Sequence, residues 1–231
     1  MSIRARLYLV TVIALGAALV AGSMLLTPVA ALGSFKFLRC AALALMASTF
    51  KVRLPGMRSS ISTSFVVFLV AMSQLSVPEV LLLTIPATVL QCVWRAPRQP
   101  FQIAFNVGAT IVNTSLATLF YAGMVRTAGI VPALVVASIS FFCLGSGLVC
   151  LAISLTQSLP LSRTWRNCDR WALPYYAGGA VLAVLVAAYS EAYRFDYALA
   201  MLAGVCILYL WYRSYIAAIK DQTSNKLNTA S

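Results

Sequence analysis

The stretch GIVPALVVASISFFCLGSGLVCLAISL, from Gly129 to Leu155, contains no Asp, Glu, Lys or Arg. A helix needs about 20 apolar residues to cross a hydrocarbon core of about 30 Å, and this stretch is longer than that. Inside lipid every backbone N–H and C=O group must find a partner, which a helix provides within itself. The stretch therefore predicts a transmembrane helix, and the chain repeats the pattern on both sides of it.

Seven further apolar runs predict an all-α, polytopic transmembrane bundle of about eight helices. They extend over Leu7–Thr27, Phe35–Phe50, Ser60–Leu75, Val77–Val93, Phe101–Met124, Leu173–Ala188 and Tyr197–Ile216. The first run follows two arginines and ends in small residues, as a signal peptide does, but its length favours an uncleaved span. Residues 60–93 form either two thin spans or a re-entrant hairpin, and the basic loops on both sides favour spans.

The composition excludes a soluble enzyme. Of the 231 residues, 61% are apolar and 10% are charged, whereas a soluble domain averages about 45–50% apolar and about 25% charged residues. One membrane domain, residues 1–219, fits this length, and we expect the polar tail, residues 220–231, to be disordered. The net charge of +12 would suggest a nucleic-acid partner in a soluble protein, but basic clusters between apolar runs face lipid headgroups, so no nucleic acid is expected.

The basic residues also predict the orientation in the membrane. If alternate ends of the eight runs lie on opposite sides, 13 of the 17 Lys and Arg residues fall on one side and four on the other. The four are Lys36, Arg39, Arg126 and Arg194. Because short cytoplasmic loops carry the excess of positive charge, we expect both termini in the cytoplasm. All four Trp residues lie on that same side, at the level where indole prefers the headgroups.

Few side chains could carry catalytic chemistry. The sequence has no His, five Asp and Glu, and six Cys, and the cysteines are scattered without a CxxC pair. No acid falls in the middle of a predicted span, where a proton relay or an intramembrane hydrolase would place one. We therefore expect no enzyme activity, no catalytic residue, no metal site and no cofactor.

The most informative polar residues inside a run are on the fifth one. Gln102, Asn106 and Asn113 are spaced by four and seven residues and share one helix face, with Thr110 beside them. An isolated amide in hydrocarbon costs several kcal/mol, so this face must point into the bundle or a cavity. It predicts a ligand-binding site for a small polar molecule, although interhelical hydrogen bonding is the favoured interpretation.

A second candidate site lies at the predicted cytoplasmic ends of the second to fourth runs. Hydroxyl side chains from Ser59 to Ser64 open the third run directly after a basic loop, and their favoured role is to cap the first helical turn. With basic side chains adjacent, the same place could bind a lipid headgroup or a phosphate. The candidate contact residues are Lys51, Arg53, Arg58, Ser62, Arg95 and Arg98.

Five short segments carry a resemblance to a known family. They are LGSFKFLR (Leu32 to Arg39), FKVRLPG (Phe50 to Gly56), the run from Ser62 to Phe68, LQCVWR (Leu90 to Arg95) and QIAFN (Gln102 to Asn106). Over about residues 30 to 125 the chain resembles the multi-helix membrane sensor domain found before HD-GYP or GGDEF modules in bacterial signalling proteins. The resemblance implies an input module whose last helix connects to a cytoplasmic enzyme of cyclic di-GMP metabolism. No effector sequence follows within these 231 residues, so we expect a freestanding version, a fragment or one half of a two-chain system, with no cyclic di-GMP activity of its own. The resemblance also implies a location in the cytoplasmic membrane of a bacterium.

Three functions remain open at this point. The leading hypothesis is a sensor-like module that couples a ligand, lipid or membrane state to a cytoplasmic signalling effector. The alternative is a small-solute permease, or a substrate-binding membrane subunit of a transporter, that uses the polar face of the fifth run. A third is a scaffold whose basic loops bind anionic lipid or a partner protein. The expected partners are the lipid bilayer, an unknown small ligand and a cytoplasmic effector.

Overall fold

The computed structural model describes residues 3–26, 34–53, 60–94, 99–193 and 197–228. Eight helices account for almost all of these residues. They are α1 (Ile3–Leu26), α2 (Phe35–Thr49), α3 (Ser64–Gln74), α4 (Val77–Val93), α5 (Pro100–Ala128), α6 (Ile130–Gln157), α7 (Leu161–Tyr193) and α8 (Tyr197–Asn228). Two short strands, β1 (Lys51–Arg53) and β2 (Ser60–Ser62), pair antiparallel between α2 and α3.

Five segments are long and apolar enough to cross a membrane, and they lie in α1, α5, α6, α7 and α8. Large apolar side chains on these helices are exposed, including Ile139, Leu185 and Leu199 at 58%, 62% and 71%. Such surfaces are unfavourable in water and favourable against acyl chains. The prediction of a helical membrane protein is thus confirmed, with five candidate spans within the described residues where the sequence predicted about eight.

Helix α3 occupies the centre of the bundle. Every residue from Ser64 to Met72 is buried, because α3 packs against α2, α4, α5, α6 and α7. Its 11 residues rise about 16 Å at 1.5 Å per residue, roughly half of a hydrocarbon core. A helix of that length is too short to cross a bilayer. For α3 and α4 the structure therefore favours the re-entrant hairpin over two thin spans.

The turn between α3 and α4 is fixed by side-chain hydrogen bonds. The Ser76 backbone N–H and hydroxyl both donate to Glu79 Oε2, over 2.8 Å and 2.6 Å. Pro78 fits the first turn of α4, where its missing N–H costs no hydrogen bond. Helix α4 covers Val77–Val93, the bounds that its apolar run predicted.

The loop predicted after the second run begins with β1, and β2 occupies the first residues of the predicted third run. Lys51 pairs with Ser62 and Val52 with Ile61, and the Val52 side chain is buried. Where β2 leads into α3, the hydroxyls of Ser62 and Thr63 both donate to the Ala47 carbonyl, over 3.1 Å and 3.0 Å. The β1–β2 hairpin therefore closes the end of α2 onto the start of α3.

The gap between the sixth and seventh apolar runs predicts a long loop from Ser158 to Trp171, and the structure shows that this prediction is wrong. Helix α6 ends at Ser158, which adopts the left-handed conformation with φ of 55°, and α7 already begins at Leu161. The Thr164 backbone N–H donates to the Pro160 carbonyl, so proline stands at the helix start that suits it. Because no Gly or Pro interrupts residues 161–171, the helix continues without a break into the apolar span.

Helix α1 is held to α5 by a close glycine contact. A Cβ atom built on Gly16 would lie 2.7 Å from the Gly108 Cα, and one on Gly108 would lie 3.0 Å from the Ile13 Cα. Small residues let helix backbones approach in lipid, where van der Waals packing drives association. The first apolar run is thus a packed helix of this bundle.

We expect Gly108→Leu to separate α1 from α5 and to lower stability by about 1–3 kcal/mol, the usual cost of overpacking. The matched control is Gly123→Leu on the same helix, because nothing lies within 4 Å of a Cβ there. Thermal unfolding of the detergent-purified protein measures both. Equal melting temperatures for the two variants would contradict the close contact.

Candidate functional site

The predicted polar face of α5 points into the bundle. Gln102 is exposed at the start of the helix, Asn106 and Thr110 are half-buried, and Asn113 is buried at 3% exposure. Helix α5 packs against α4 on one side and α6 on the other, and α1 also contacts it. The four residues therefore go progressively deeper into the protein along one face.

Asn106 connects α5 to α4. Its side-chain amide donates to Cys92 Sγ over 3.4 Å, and the Thr110 hydroxyl donates to the Asn106 carbonyl over 2.7 Å. One turn back along α4 from Cys92 lies Thr88, and one turn on along α5 from Asn106 lies Thr110.

Asn113 lies between α5 and α6. Its Nδ2 atom is 2.8 Å from where a Cβ of Gly145 would lie, so glycine makes room for this amide. Its Oδ1 atom is buried and has no hydrogen-bond partner among the described residues. A buried acceptor without a partner costs about 1–3 kcal/mol, so this oxygen suits a donor group brought by a ligand.

Helix α4 contributes a polar face that the sequence analysis missed. Thr84, Thr88 and Cys92 are spaced by four residues and all are buried. Thr84 donates its hydroxyl to the Val80 carbonyl over 2.8 Å, whereas Thr88 Oγ1 has no partner among the described residues. The spacing of small polar residues within an apolar run was the signal that could have identified this face.

We name Thr88 and Cys92 on α4, with Asn106, Thr110 and Asn113 on α5, the polar seam, and the Asn106–Cys92 bond joins its two helices. The seam carries amide, hydroxyl and thiol groups, and no carboxylate, imidazole or ammonium. Such groups can hydrogen-bond a small neutral polar molecule, and they also hold helices together. They offer little for general acid–base catalysis.

The second candidate site is only partly described. Lys51 donates to the carbonyls of Gln91 and Trp94, the second over 3.1 Å, so its ammonium caps the C-terminal end of α4. Ser62 is buried and donates to the Ala47 carbonyl. The side chains of Arg53, Arg58, Arg95 and Arg98 lie outside the described residues, and a headgroup or phosphate contact there stays a prediction.

Glu79 is a buried acidic side chain, and the other acidic side chains lie outside the described residues. It is 4% exposed, and its Oε1 atom has no hydrogen-bond partner among the described residues, while Oε2 accepts from Ser76. The sequence had placed this residue at an outer end of the bundle. Within the described residues, no three His, Cys, Asp or Glu side chains come together as metal ligands.

Comparison with known proteins finds no match for the chain among protein-family models, curated proteins or solved structures. The resemblance to bacterial membrane sensor domains therefore stays a prediction based on the five short segments. The assignment of function rests on the geometry of the seam and its neighbours.

The two amides of the seam should respond differently to replacement by leucine. Asn106→Leu loses the bond to Cys92 and should lower stability by about 0.6 kcal/mol, the average for an interhelical bond in a membrane protein. Asn113→Leu removes an unsatisfied oxygen and should raise stability by about 1 kcal/mol. Thermal unfolding in detergent measures both, and a larger loss for Asn113→Leu than for Asn106→Leu would contradict the assignment.

Proposed function

We propose that the protein is a membrane sensor module in which occupancy of the polar seam alters the packing of α8. The observation that carries this proposal is a line of contacts from the seam to α8. Helix α8 has a 21-residue apolar span, Ala198–Ala218, and continues as a helix to Asn228, where the sequence predicted a disordered tail from residue 220. A helix that extends beyond its span offers a rigid connection to a cytoplasmic effector.

The first part of this contact line joins the seam to β1. Cys92, which accepts from Asn106 of α5, lies at the C-terminal end of α4, where the Gln91 and Trp94 carbonyls both accept hydrogen bonds from Lys51. A shift of α4 against α5 moves these carbonyls, since they are fixed to the helix. Lys51 then transmits the displacement to β1 and the end of α2.

The second part joins β1 to α8. Phe50 directly precedes Lys51, and its ring centroid is 5.3 Å from that of Tyr209 on α8. On the next turn of α8, the Tyr212 ring packs 4.6 Å from Tyr175 of α7, and both tyrosines are fully buried. A tightly packed aromatic core has few alternative arrangements, so a displacement at Phe50 favours a discrete shift of α8.

The orientation proposed from the sequence suits this mechanism. With the basic ends of the helices in the cytoplasm, the C-terminal end of α8 lies on the side where a signalling enzyme would be found. A ligand must bind one packing of the bundle more tightly than the other to shift the equilibrium. The unpartnered Asn113 Oδ1 and Thr88 Oγ1 atoms could supply that difference by bonding a small polar ligand.

We expect substitutions along the contact line to alter the environment of α8 at a distance. Protein labelled with 5-fluorotryptophan reports on Trp211, which is on α8 and exposed, and Trp211→Phe assigns its resonance. Both Asn106→Leu and Lys51→Met should shift the Trp211 fluorine resonance. Lys36→Met, an exposed lysine near the start of α2, is the matched control and should leave it in place.

An unchanged Trp211 resonance in both variants would contradict the coupling. In that case the seam would have no route to α8, and the permease alternative would become the better account of its buried polar atoms. A shift in Lys51→Met alone would place the coupling in the hairpin and remove the seam from it. That result would also contradict the proposal.

A further inference from the structure

Two helices that each carry two arginines near their N-terminal end contact α6. The Tyr8 hydroxyl of α1 donates to the Leu148 carbonyl over 2.9 Å. On the neighbouring residue of α6, a Cβ at Gly147 would lie 3.3 Å from the Trp165 ring of α7. The N-terminal ends of α1 and α7 therefore lie against adjacent residues of one helix, although more than 150 residues separate them in sequence.

These two helix ends carry Arg4 and Arg6 on α1 and Arg163 and Arg166 on α7, and all four side chains are exposed. Neither α1 nor α6 contains an Asp or Glu residue, and the nearest acid along α7, Asp169, has a side chain outside the described residues. The surface therefore concentrates positive charge, and an anion placed there offsets the repulsion among the arginines.

Apolar side chains lie beside these arginines. Leu7 on α1 is 66% exposed, and Leu161, in the first turn of α7, is 45% exposed. A nucleic acid or a soluble polyanion would leave such leucines in water. A phospholipid satisfies both features, because its phosphate meets the guanidinium groups and its acyl chains cover the leucines.

We propose that this surface, named here the arginine rim and defined by Arg4, Arg6, Arg163 and Arg166, preferentially binds an anionic phospholipid. Arginine pairs with phosphate through two parallel N–H···O bonds, which favours a phosphate-bearing headgroup without a compensating cation. The binding is independent of the proposed sensing mechanism, since it uses none of the seam residues. It requires both helices, so it depends on α1 remaining packed in the bundle.

Trp165 reports on the rim directly, because it lies between Arg163 and Arg166 in sequence and packs on α6. A full-length variant with Trp94→Phe, Trp171→Phe and Trp211→Phe keeps this one indole. It is reconstituted in phosphatidylcholine vesicles that contain either brominated phosphatidylglycerol or brominated phosphatidylcholine at equal mole fraction. Bromine quenches indole fluorescence only at short range, so excess quenching by the phosphatidylglycerol measures its enrichment at the rim.

We expect stronger quenching by brominated phosphatidylglycerol, and Arg163→Gln with Arg166→Gln should reduce the apparent affinity about 30-fold, given about 1 kcal/mol per basic residue near an anionic surface. Arg4→Gln with Arg6→Gln should also reduce it, although these residues are on another helix from the indole. Arg126→Gln, at the end of α5, is the control and should have no effect. Circular dichroism verifies that each variant stays helical.

Three outcomes would overturn the proposal. Equal quenching by the two brominated lipids would show that the rim has no preference for an anionic headgroup. Loss of the excess quenching on addition of inorganic phosphate at constant ionic strength would identify a free-anion site. Retention of the excess in the α1 double variant would restrict binding to α7 and remove the shared rim.

Discussion

The architecture depends on satisfying every polar group at the ends of helices that lie within lipid. Where the short helices α2, α3 and α4 meet, side chains bond backbone groups at their ends. Ser62 and Thr63 donate to the Ala47 carbonyl, Glu79 accepts from Ser76, and Lys51 donates to the last carbonyls of α4. These bonds hold the α3–α4 hairpin in place among the long helices.

Hydropathy indicates which segments are surrounded by apolar groups and therefore helical, and the bounds of α4 follow from its apolar run alone. It does not indicate which side chains bond to each other across helices. The amides of α5 share a face by their spacing, whereas the bond from Asn106 to Cys92 depends on the register of two helices. Lys51 looked like a headgroup contact, because only the folded chain brings the α4 carbonyls to it.

Two other differences have equally local causes. The start of α7 reads as a loop because its arginines interrupt the apolar pattern, yet polar residues extend a helix when no Gly or Pro stops it. The α3 run looked like a thin span because its residues from Phe65 to Met72 are all apolar, and burial on all sides produces the same signal. Charge and hydropathy alone do not separate a short buried helix from a short membrane span.

We infer that a bilayer surrounds these helices and that their basic ends lie on one face of it. Single cysteines in place of Arg6, Arg166 and Thr127, in a background without the native cysteines, can be labelled with a membrane-impermeant maleimide in sealed vesicles of known orientation. We expect positions 6 and 166 to be labelled from the cytoplasmic face and position 127 from the opposite face. Labelling of positions 6 and 166 from opposite faces would contradict it.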